Sequence, residues 1–164
     1  MQPYRLMLVD DEEYLRQGVI RRIDWDACGF TVVGEAENGQ AGLELAERLQ
    51  PDVILTDIKM PFMDGLTMSR RVLETQPGVK IIMLSGFDDF EYAQEAIALG
   101  SMDYILKPID AAELTETLMR VRDRLDVEMR EKRNVARLRE HYVRSLPILR
   151  EQLLHRLLLL QTEL

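Results

Sequence analysis

The chain has 164 residues, 46% of them hydrophobic and 30% charged, which allows one domain with a full hydrophobic core plus an additional segment. Residues 1–126 hold 13 Lys/Arg and 24 Asp/Glu, a net charge of -11, whereas residues 127–164 hold 8 and 5, a net charge of +3. The acidic first part excludes nucleic-acid binding through bulk charge, because such binding depends on neutralising phosphates.

Cysteine content and hydropathy indicate where the protein resides. The single cysteine, Cys28, excludes an internal disulfide and favours a reducing compartment. The first apolar stretch, Leu6–Val9, is too short for a signal peptide, and no apolar run reaches the length of a membrane span. We therefore expect a cytoplasmic protein without a membrane segment, in which Cys28 is a packing residue.

Five short apolar runs alternate with segments of helical periodicity. Four of the predicted strands are residues 6–9, 30–34, 79–84 and 102–106. The remaining one, the third along the chain, is an apolar run that ends at residue 57. The predicted helices are residues 12–23, 41–49, 66–75, 90–99 with Gly100 as C-cap, and a long one from about 110; residues 24–29 are predicted to be a loop. Apolar strands that alternate with helices are typical of a parallel sheet covered by helices.

Polar residues stand where these strands end. They are Asp10 and Asp11 after the first strand, Asp57 at the end of the third, Ser85 after the fourth and Lys107 after the fifth. Ligands of open parallel sheets bind outside the carboxyl ends of the strands, which all lie at one edge. We therefore predict that four loops from separate parts of the chain bring these side chains together.

The chemistry of this set favours phosphoryl transfer. Three neighbouring carboxylates repel each other unless a cation joins them, and an all-oxygen ligand set suits Mg²⁺. Asp57 is the candidate nucleophile, since aspartate can form an aspartyl-phosphate beside such a metal. Lys107 offers a mobile positive charge and Ser85 a hydroxyl donor for the phosphoryl oxygens.

These residues together resemble a known family, the receiver domain of bacterial two-component response regulators. The pattern is Asp10-Asp11-Glu12, Asp57, Met60-Pro61-x-Met63-Asp64-Gly65, Ser85-Gly86 and Lys107-Pro108. The resemblance covers about residues 4–126. It implies an α/β fold, a flavodoxin-like (βα)5 doubly wound parallel sheet of order 2-1-3-4-5, here followed by a C-terminal helical extension.

The resemblance also implies roles for the acidic residues. Asp57 would be the phosphoacceptor, and the phosphoryl group would come from a sensor histidine kinase. Asp11 and Asp57 would bind Mg²⁺ directly, together with the backbone carbonyl of Lys59, and Asp10 would act through water. The protein would catalyse only its own phosphorylation and dephosphorylation, and it would not be an enzyme for other substrates.

Further roles follow from the same resemblance. Ser85 and Lys107 would hold the phosphoryl group, and Tyr104 would be the switch aromatic whose rotamer follows the serine. The Lys107–Pro108 peptide bond would be cis. Phosphorylation would then reshape the face made by the fourth predicted helix, the fifth strand and the fifth helix.

Two shorter segments narrow the resemblance. Ile23-Asp24-Trp25 and Ser85-Gly86-Phe87-Asp88-Asp89-Phe90-Glu91-Tyr92-Ala93 look like the receivers of YesN-type regulators, which end in an AraC-type helix-turn-helix pair. The resemblance implies control of transcription, with DNA bound only through a domain that this chain lacks. We expect a chain cut before its effector in preference to a natural short form.

The tail, residues 127–164, is predicted to be a helical linker that is separate from the receiver at 1–126. Ser145-Leu146-Pro147 is predicted to start a new helix, with Ser145 as its N-cap. A coiled coil that couples dimerisation to the missing effector is one interpretation, and a helical hairpin packed on a receiver is the other. We favour the first, with a homodimer formed through the receiver face, the C-terminal helix or both.

Three other functions suit the same fold. A phosphatase of the haloacid-dehalogenase type needs a second carboxylate two residues after its nucleophile, where this chain has Lys59. A flavodoxin-type flavin binder needs a phosphate loop after the first strand, where Asp10-Asp11-Glu12-Glu13 would repel the phosphate. The third is a constitutive receiver that acts as a protein-interaction module, and nothing in the sequence supports it.

Overall fold

The computed structural model describes residues 2–86, 90–98 and 102–162, and in this part strands alternate with helices. The strands are β1 Tyr4–Val9, β2 Phe30–Ala36, β3 Val53–Asp57, β4 Lys80–Ser85 and β5 Met102–Leu106. The helices are α1 Glu13–Arg22, α2 Trp25–Cys28, α3 Gly39–Leu49, α4 Gly65–Thr75, α5 Phe90–Ala98 and α6 Ala111–Thr162.

The five strands form one parallel sheet of order β2-β1-β3-β4-β5. This order confirms the predicted fold class. In the register of the sheet Asp57 lies opposite Leu84, and Ser85 lies opposite Leu106. The carboxyl ends of β3, β4 and β5 are therefore level with one another, and the loops that follow them leave the sheet at one edge.

The central strands are buried on both faces. Leu6, Met7, Leu8 and Val9 of β1 are all 0% exposed, as a strand covered by helices on both sides requires. On one face β1, β3 and β4 share a core with side chains of α3 and α4; its strand residues are Met7, Val9, Ile54, Ile81 and Met83, and its helix residues include Ala46, Met68 and Val72. This packing fixes the positions of the strands whose carboxyl ends carry the predicted site residues.

Side chains cap two of the helices that begin near this edge. The Asn38 carboxamide oxygen accepts a hydrogen bond from the Ala41 backbone N–H at 2.8 Å, and α3 begins there. Asp64 caps α4 in the same way, accepting from the Thr67 backbone N–H at 2.7 Å. Asp64 is the last of the seven loop residues that separate Asp57, at the end of β3, from the start of α4.

The predicted loop at residues 24–29 is wrong, because four of these residues form the short helix α2. Asp24 accepts a hydrogen bond from the Ala27 backbone N–H at 3.2 Å and caps the helix. Gly29 ends it in the left-handed region at a φ of 83°. An aspartate five residues before a glycine is a cap signal that could have predicted this turn.

The predicted new helix at Ser145 is also wrong. Helix α6 is continuous from Ala111 to Thr162 and contains Pro147 in its interior. The Ser145 hydroxyl donates to the Tyr142 carbonyl oxygen at 3.0 Å and does not cap a following turn. A helical hairpin with its turn near residue 145 is excluded for the same reason.

The chain divides into two compact units, residues 1–122 and residues 123–164. Helix α6 contributes to both, and the predicted boundary at residue 126 stays a prediction. The C-cap predicted at Gly100 and the Phe87–Asp89 part of the YesN-type motif lie outside the described residues. Within the described ranges, no helix combines the length and apolarity needed to cross a bilayer.

Candidate functional site

The predicted convergence is present at the carboxyl edge of the sheet. The Lys107 ammonium nitrogen lies 3.2 Å from a carboxylate oxygen of Asp57 and 3.4 Å from one of Asp10. These three residues follow or end β5, β3 and β1, and Lys107 is 97 residues from Asp10 in the chain. One ammonium group therefore pairs with carboxylates from two different strands.

Asp57 is held in position and shielded from water. It is 7% exposed, and its second carboxylate oxygen accepts a hydrogen bond from the Ile58 backbone N–H at 2.8 Å. Burial raises the pKa of Asp57, and the neighbouring Lys107 opposes that rise by favouring the charged form. The result is a desolvated carboxylate beside a permanent positive charge, an arrangement suited to a nucleophile.

Asp10 is the more deeply buried member of the aspartate pair, at 2% exposure. One carboxylate oxygen accepts from the Glu12 backbone N–H at 2.9 Å, and its backbone oxygen accepts from the Arg16 guanidinium. Burial raises the pKa of Asp10 to about 6, against the opposing effects of that backbone hydrogen bond and of Lys107. Asp10 is thus a buried acid and not the solvated start of a helix.

Lys107 remains charged at this edge. Burial by itself lowers the pKa of Lys107, but the charges of Asp10 and Asp57 together outweigh that effect and raise it above its ordinary value. Its backbone N–H donates to the Ser85 carbonyl oxygen at 2.7 Å, which ties the loop after β5 to the end of β4.

An acidic cluster borders these groups. Asp10, Asp11 and Glu12 each have a carboxylate oxygen within 4.8 Å of the others. Asp11 is exposed and lies close enough to Asp57 for its charge to raise the pKa of that carboxyl. Carboxylate oxygens at this spacing are the donors that Mg²⁺ prefers, so the residues fit the expected metal. Glu12 was predicted only as part of the family pattern, and the structure places its carboxylate beside those of Asp10 and Asp11.

The remaining predicted site residues differ in their surroundings. Ser85 is 0% exposed, and its hydroxyl oxygen has no hydrogen-bond partner in the described part of the protein. Tyr104 is half-buried on β5, opposite Met83. Lys59 is exposed in the loop after β3, and the Lys107–Pro108 peptide bond is cis. A buried hydroxyl without a partner is costly, so Ser85 is the group here that gains most from a bound acceptor.

Gly65 is a residue whose importance only the structure makes clear. Its backbone N–H donates to the Ile58 carbonyl oxygen at 2.7 Å, which closes the loop between β3 and α4. A β-carbon at this position would lie 1.9 Å from the Asp57 backbone oxygen. Glycine is therefore required where α4 approaches the end of β3.

Comparison with known proteins identifies a family for this chain. A family model described as the response regulator receiver domain matches residues 6–119, which is more than half of the chain. The chain belongs to the response regulator receiver family. The matched range contains every residue of the site at the sheet edge.

Two relatives of this receiver are transcriptional regulators. It is 39% identical over 115 residues to the transcriptional regulatory protein YesN of Bacillus subtilis, a match that covers 70% of this chain and 31% of YesN. It is 36% identical over 114 residues to the transcriptional regulatory protein DegU of Brevibacillus brevis, with 70% and 48% covered. The chain therefore spans 31% and 48% of the length of these two relatives.

Two solved structures have the same fold. The receiver domain of AraT, a response regulator from Geobacillus stearothermophilus, is 42% identical with a TM-score of 0.74, covering 79% of this chain and 99% of that one. A two-component transcriptional regulator AraC from Clostridium phytofermentans is 35% identical with a TM-score of 0.69, covering 73% and 93%. This receiver is thus similar to receivers that belong to transcriptional response regulators.

Proposed function

We propose that this receiver is a Mg²⁺-dependent phosphorylation switch in which Asp57 accepts a phosphoryl group from the phosphohistidine of a sensor histidine kinase. The observation that carries the proposal is the buried Asp57 carboxylate, paired with Lys107 at 3.2 Å and bordered by further carboxylates. A structural ion pair alone would not need the additional acidic groups, whose mutual repulsion a bound cation relieves.

The proposed reaction uses this chain's own residues as follows. A carboxylate oxygen of Asp57 attacks phosphorus, the bond from phosphorus to the histidine nitrogen breaks, and that nitrogen keeps the electron pair and takes up a proton. Lys107 moves from the Asp57 carboxylate to a phosphoryl oxygen, which its flexible side chain allows. The Ser85 hydroxyl, which has no hydrogen-bond partner among the described residues, donates to a second phosphoryl oxygen.

Mg²⁺ would be held by Asp11 and Asp57 with the Lys59 backbone carbonyl, and by Asp10 through water. Glu12 borders the same set of oxygens. When bound, the metal supplies positive charge that neutralises the transferring phosphoryl group. The chain turns over no external substrate, since the acceptor is its own side chain, and it is therefore a switch and not an enzyme.

The output of the switch is proposed from Ser85 and Tyr104. Once Ser85 contacts the phosphoryl group, the space beside β4 and β5 changes and Tyr104 moves inward. This reshapes the face formed by α5, β5 and the start of α6, and promotes homodimerisation. Such a change is a shift between two existing populations, because the phosphoryl group binds one of them more strongly.

The biological role is proposed from the relatives. YesN and DegU are named as transcriptional regulatory proteins, and both are longer than this chain. We infer that the receiver controls transcription through an AraC-type DNA-binding domain outside this chain, that its kinase is the direct partner, and that it acts in the cytoplasm.

Intact-mass measurement tests the acceptor. The chain is incubated with Mg²⁺ and acetyl phosphate, and we expect a gain of one phosphoryl group in wild type and none in Asp57→Asn. Asp26→Asn, at an exposed carboxylate of α2, is the matched control and keeps the gain. Removal of Mg²⁺ with EDTA abolishes it. A wild type that stays unmodified, or an Asp57→Asn variant that is labelled equally, would overturn the proposal in favour of a constitutive receiver.

A further inference from the structure

The second unit contains an internal sequence repeat with a period of eleven residues. Leu138-Arg139-Glu140-x-Tyr142-Val143-Arg144 recurs as Leu149-Arg150-Glu151-x-Leu153-Leu154-His155. The apolar positions follow the same period over most of the tail; they are Val135, Leu138 and Tyr142, then Leu146, Leu149 and Leu153, then Leu157 and Leu160. We call these eight residues the eleven-residue stripe.

The stripe forms one side of α6. Eleven residues complete three helical turns at 3.67 residues per turn, so each repeat presents its apolar positions on the same side of the helix. Helix α6 is unbroken from Val135 to Leu160, including at Pro147. A period of eleven is the pattern of helices that wind around one another with a slight right-handed supercoil. It differs from the seven-residue period of an ordinary coiled coil, which Lys132 and Arg156 interrupt here.

Most of the stripe is exposed. Seven of its eight residues are at least 51% exposed, and Leu138 is 69% exposed, whereas Leu146 is half-buried. A monomeric protein rarely leaves so long an apolar row in water. If each of the seven exposed side chains loses roughly 80–100 Å² on pairing, two stripes together bury about 1,100–1,400 Å², near the lower end of the range for a standard specific interface.

We propose that the eleven-residue stripe pairs in parallel and in register with the same stripe of a second copy of this chain. This proposal rests on the proposed function in one respect, since it names the surface through which the proposed homodimer forms. The distribution of apolar residues favours the parallel direction. The consecutive leucines 157–160 lie at the C-terminal end of the stripe, whereas Val135, Leu138 and Tyr142 form its N-terminal end.

An antiparallel pair would set the leucine-rich end of one stripe against the less apolar N-terminal end of the other. In a parallel pair the leucine-rich ends meet each other. Parallel pairing also matches the repeat, because every layer then joins a residue to its own copy.

Two adjacent substitutions in the full chain test the interface. Leu149→Glu places a charge in the middle of the stripe, and Ile148→Glu places the same charge one position earlier, on the side of α6 that faces away from it. Both native residues are more than half exposed, so neither substitution disturbs a buried core. Circular dichroism verifies that each variant keeps its helix.

Sedimentation equilibrium measures the mass. We expect a dimer for wild type and for Ile148→Glu, and at least about a 100-fold weaker dimer for Leu149→Glu. A wild type that is monomeric at about 100 μM, or equal weakening by both substitutions, would overturn the proposal.

Disulfide cross-linking tests the direction in a Cys28→Ser background. Leu160→Cys chains are expected to cross-link with one another. If they cross-link with Val135→Cys chains instead, the pair is antiparallel and the proposal is wrong. All measurements are repeated with Asp57→Asn. If the wild-type chain gains a phosphoryl group but stays monomeric, only the proposed dimer is refuted. If it dimerises but gains no phosphoryl group, only the proposed phosphorylation is refuted.

Discussion

Replacing Gly65 by alanine is expected to displace the end of β3 or the start of α4. The new β-carbon would lie 1.9 Å from the Asp57 backbone oxygen and 3.0 Å from the Thr56 hydroxyl oxygen. That hydroxyl already donates to the Asp57 carbonyl oxygen at 2.9 Å, and Gly65 itself donates to Ile58. Because the closest neighbour is backbone and not the end of a flexible side chain, no local rotamer change relieves the contact.

Overpacking of a core usually costs about 1–3 kcal/mol. We expect about 2–3 kcal/mol here, the upper part of that range, because the contact is far shorter than a van der Waals distance. For a chain of this length the loss lowers Tm by roughly 5–12 °C. The movement also shifts Asp57, so labelling by acetyl phosphate slows in the same variant. Urea unfolding followed by circular dichroism measures the stability, and intact mass measures the labelling.

Gly18→Ala is the matched control. Gly18 lies inside α1, and a β-carbon there meets no heavy atom within 4 Å. Alanine has the higher helix propensity, so this substitution should stabilise the chain by about 0.5–1 kcal/mol. If Gly65→Ala is as stable as wild type, or if Gly18→Ala loses as much stability as Gly65→Ala, the close approach of α4 to β3 is not as described.

Three further predictions concern single groups. Lys107→Gln removes the ammonium group that lies 3.2 Å from Asp57. Phosphorylation by acetyl phosphate should slow by about 10²–10³-fold, because one preorganised hydrogen-bond donor is lost. A rate within about threefold of wild type would contradict this role of Lys107. Because the pKa of Asp10 is raised to about 6, Mg²⁺ should raise Tm clearly at about pH 7.5 and hardly at about pH 5, where Asp10 is protonated. Cys28 is 2% exposed, and burial raises the pKa of its thiol. Iodoacetamide should therefore alkylate Cys28 at least about 100-fold more slowly in the native chain than in the unfolded chain. Mass spectrometry measures both rates.

The sign of the Asp10 effect can be checked without Mg²⁺. The folded state binds more protons than the unfolded state between the ordinary pKa of 3.8 and the raised value of about 6. Asp10 therefore contributes stability at low pH that is lost as the pH rises through 6. An Asp10→Asn variant should lack this slope. Equal Tm increases with Mg²⁺ at both pH values would contradict the raised pKa.

The order of the elements and the composition of the site could be predicted from the sequence. Apolar runs of strand length alternate with helical periodicity, and both signals are local. The topology of a parallel sheet then requires its strand ends to meet at one edge, so Asp10, Asp57 and Lys107 were expected together although up to 97 residues separate them. The roles of Tyr104 and Pro108 came only from the family resemblance.

Local signals failed where they were ambiguous. Asp24 and Gly29 cap the helix Trp25–Cys28, but aspartate and glycine are also favoured in turns, and the segment was predicted to be a loop. Pro147 is favoured in a first helical turn, yet it lies within a continuous α6. The eleven-residue repeat is present in the sequence, but its period differs from the seven residues of the coiled coil that was predicted for the tail.

The sequence by itself determined which residues stand at the carboxyl edge of the sheet; only the tertiary structure decided their environment. Asp10 and Asp11 are neighbours in the chain, yet one is buried with a pKa of about 6 and the other is exposed. The Ser85 hydroxyl lacks a partner in the described part, and α4 requires Gly65 at the end of β3. Desolvation, charge pairing and close packing depend on residues far apart in the chain, and these non-local contacts exist only once the sheet has formed.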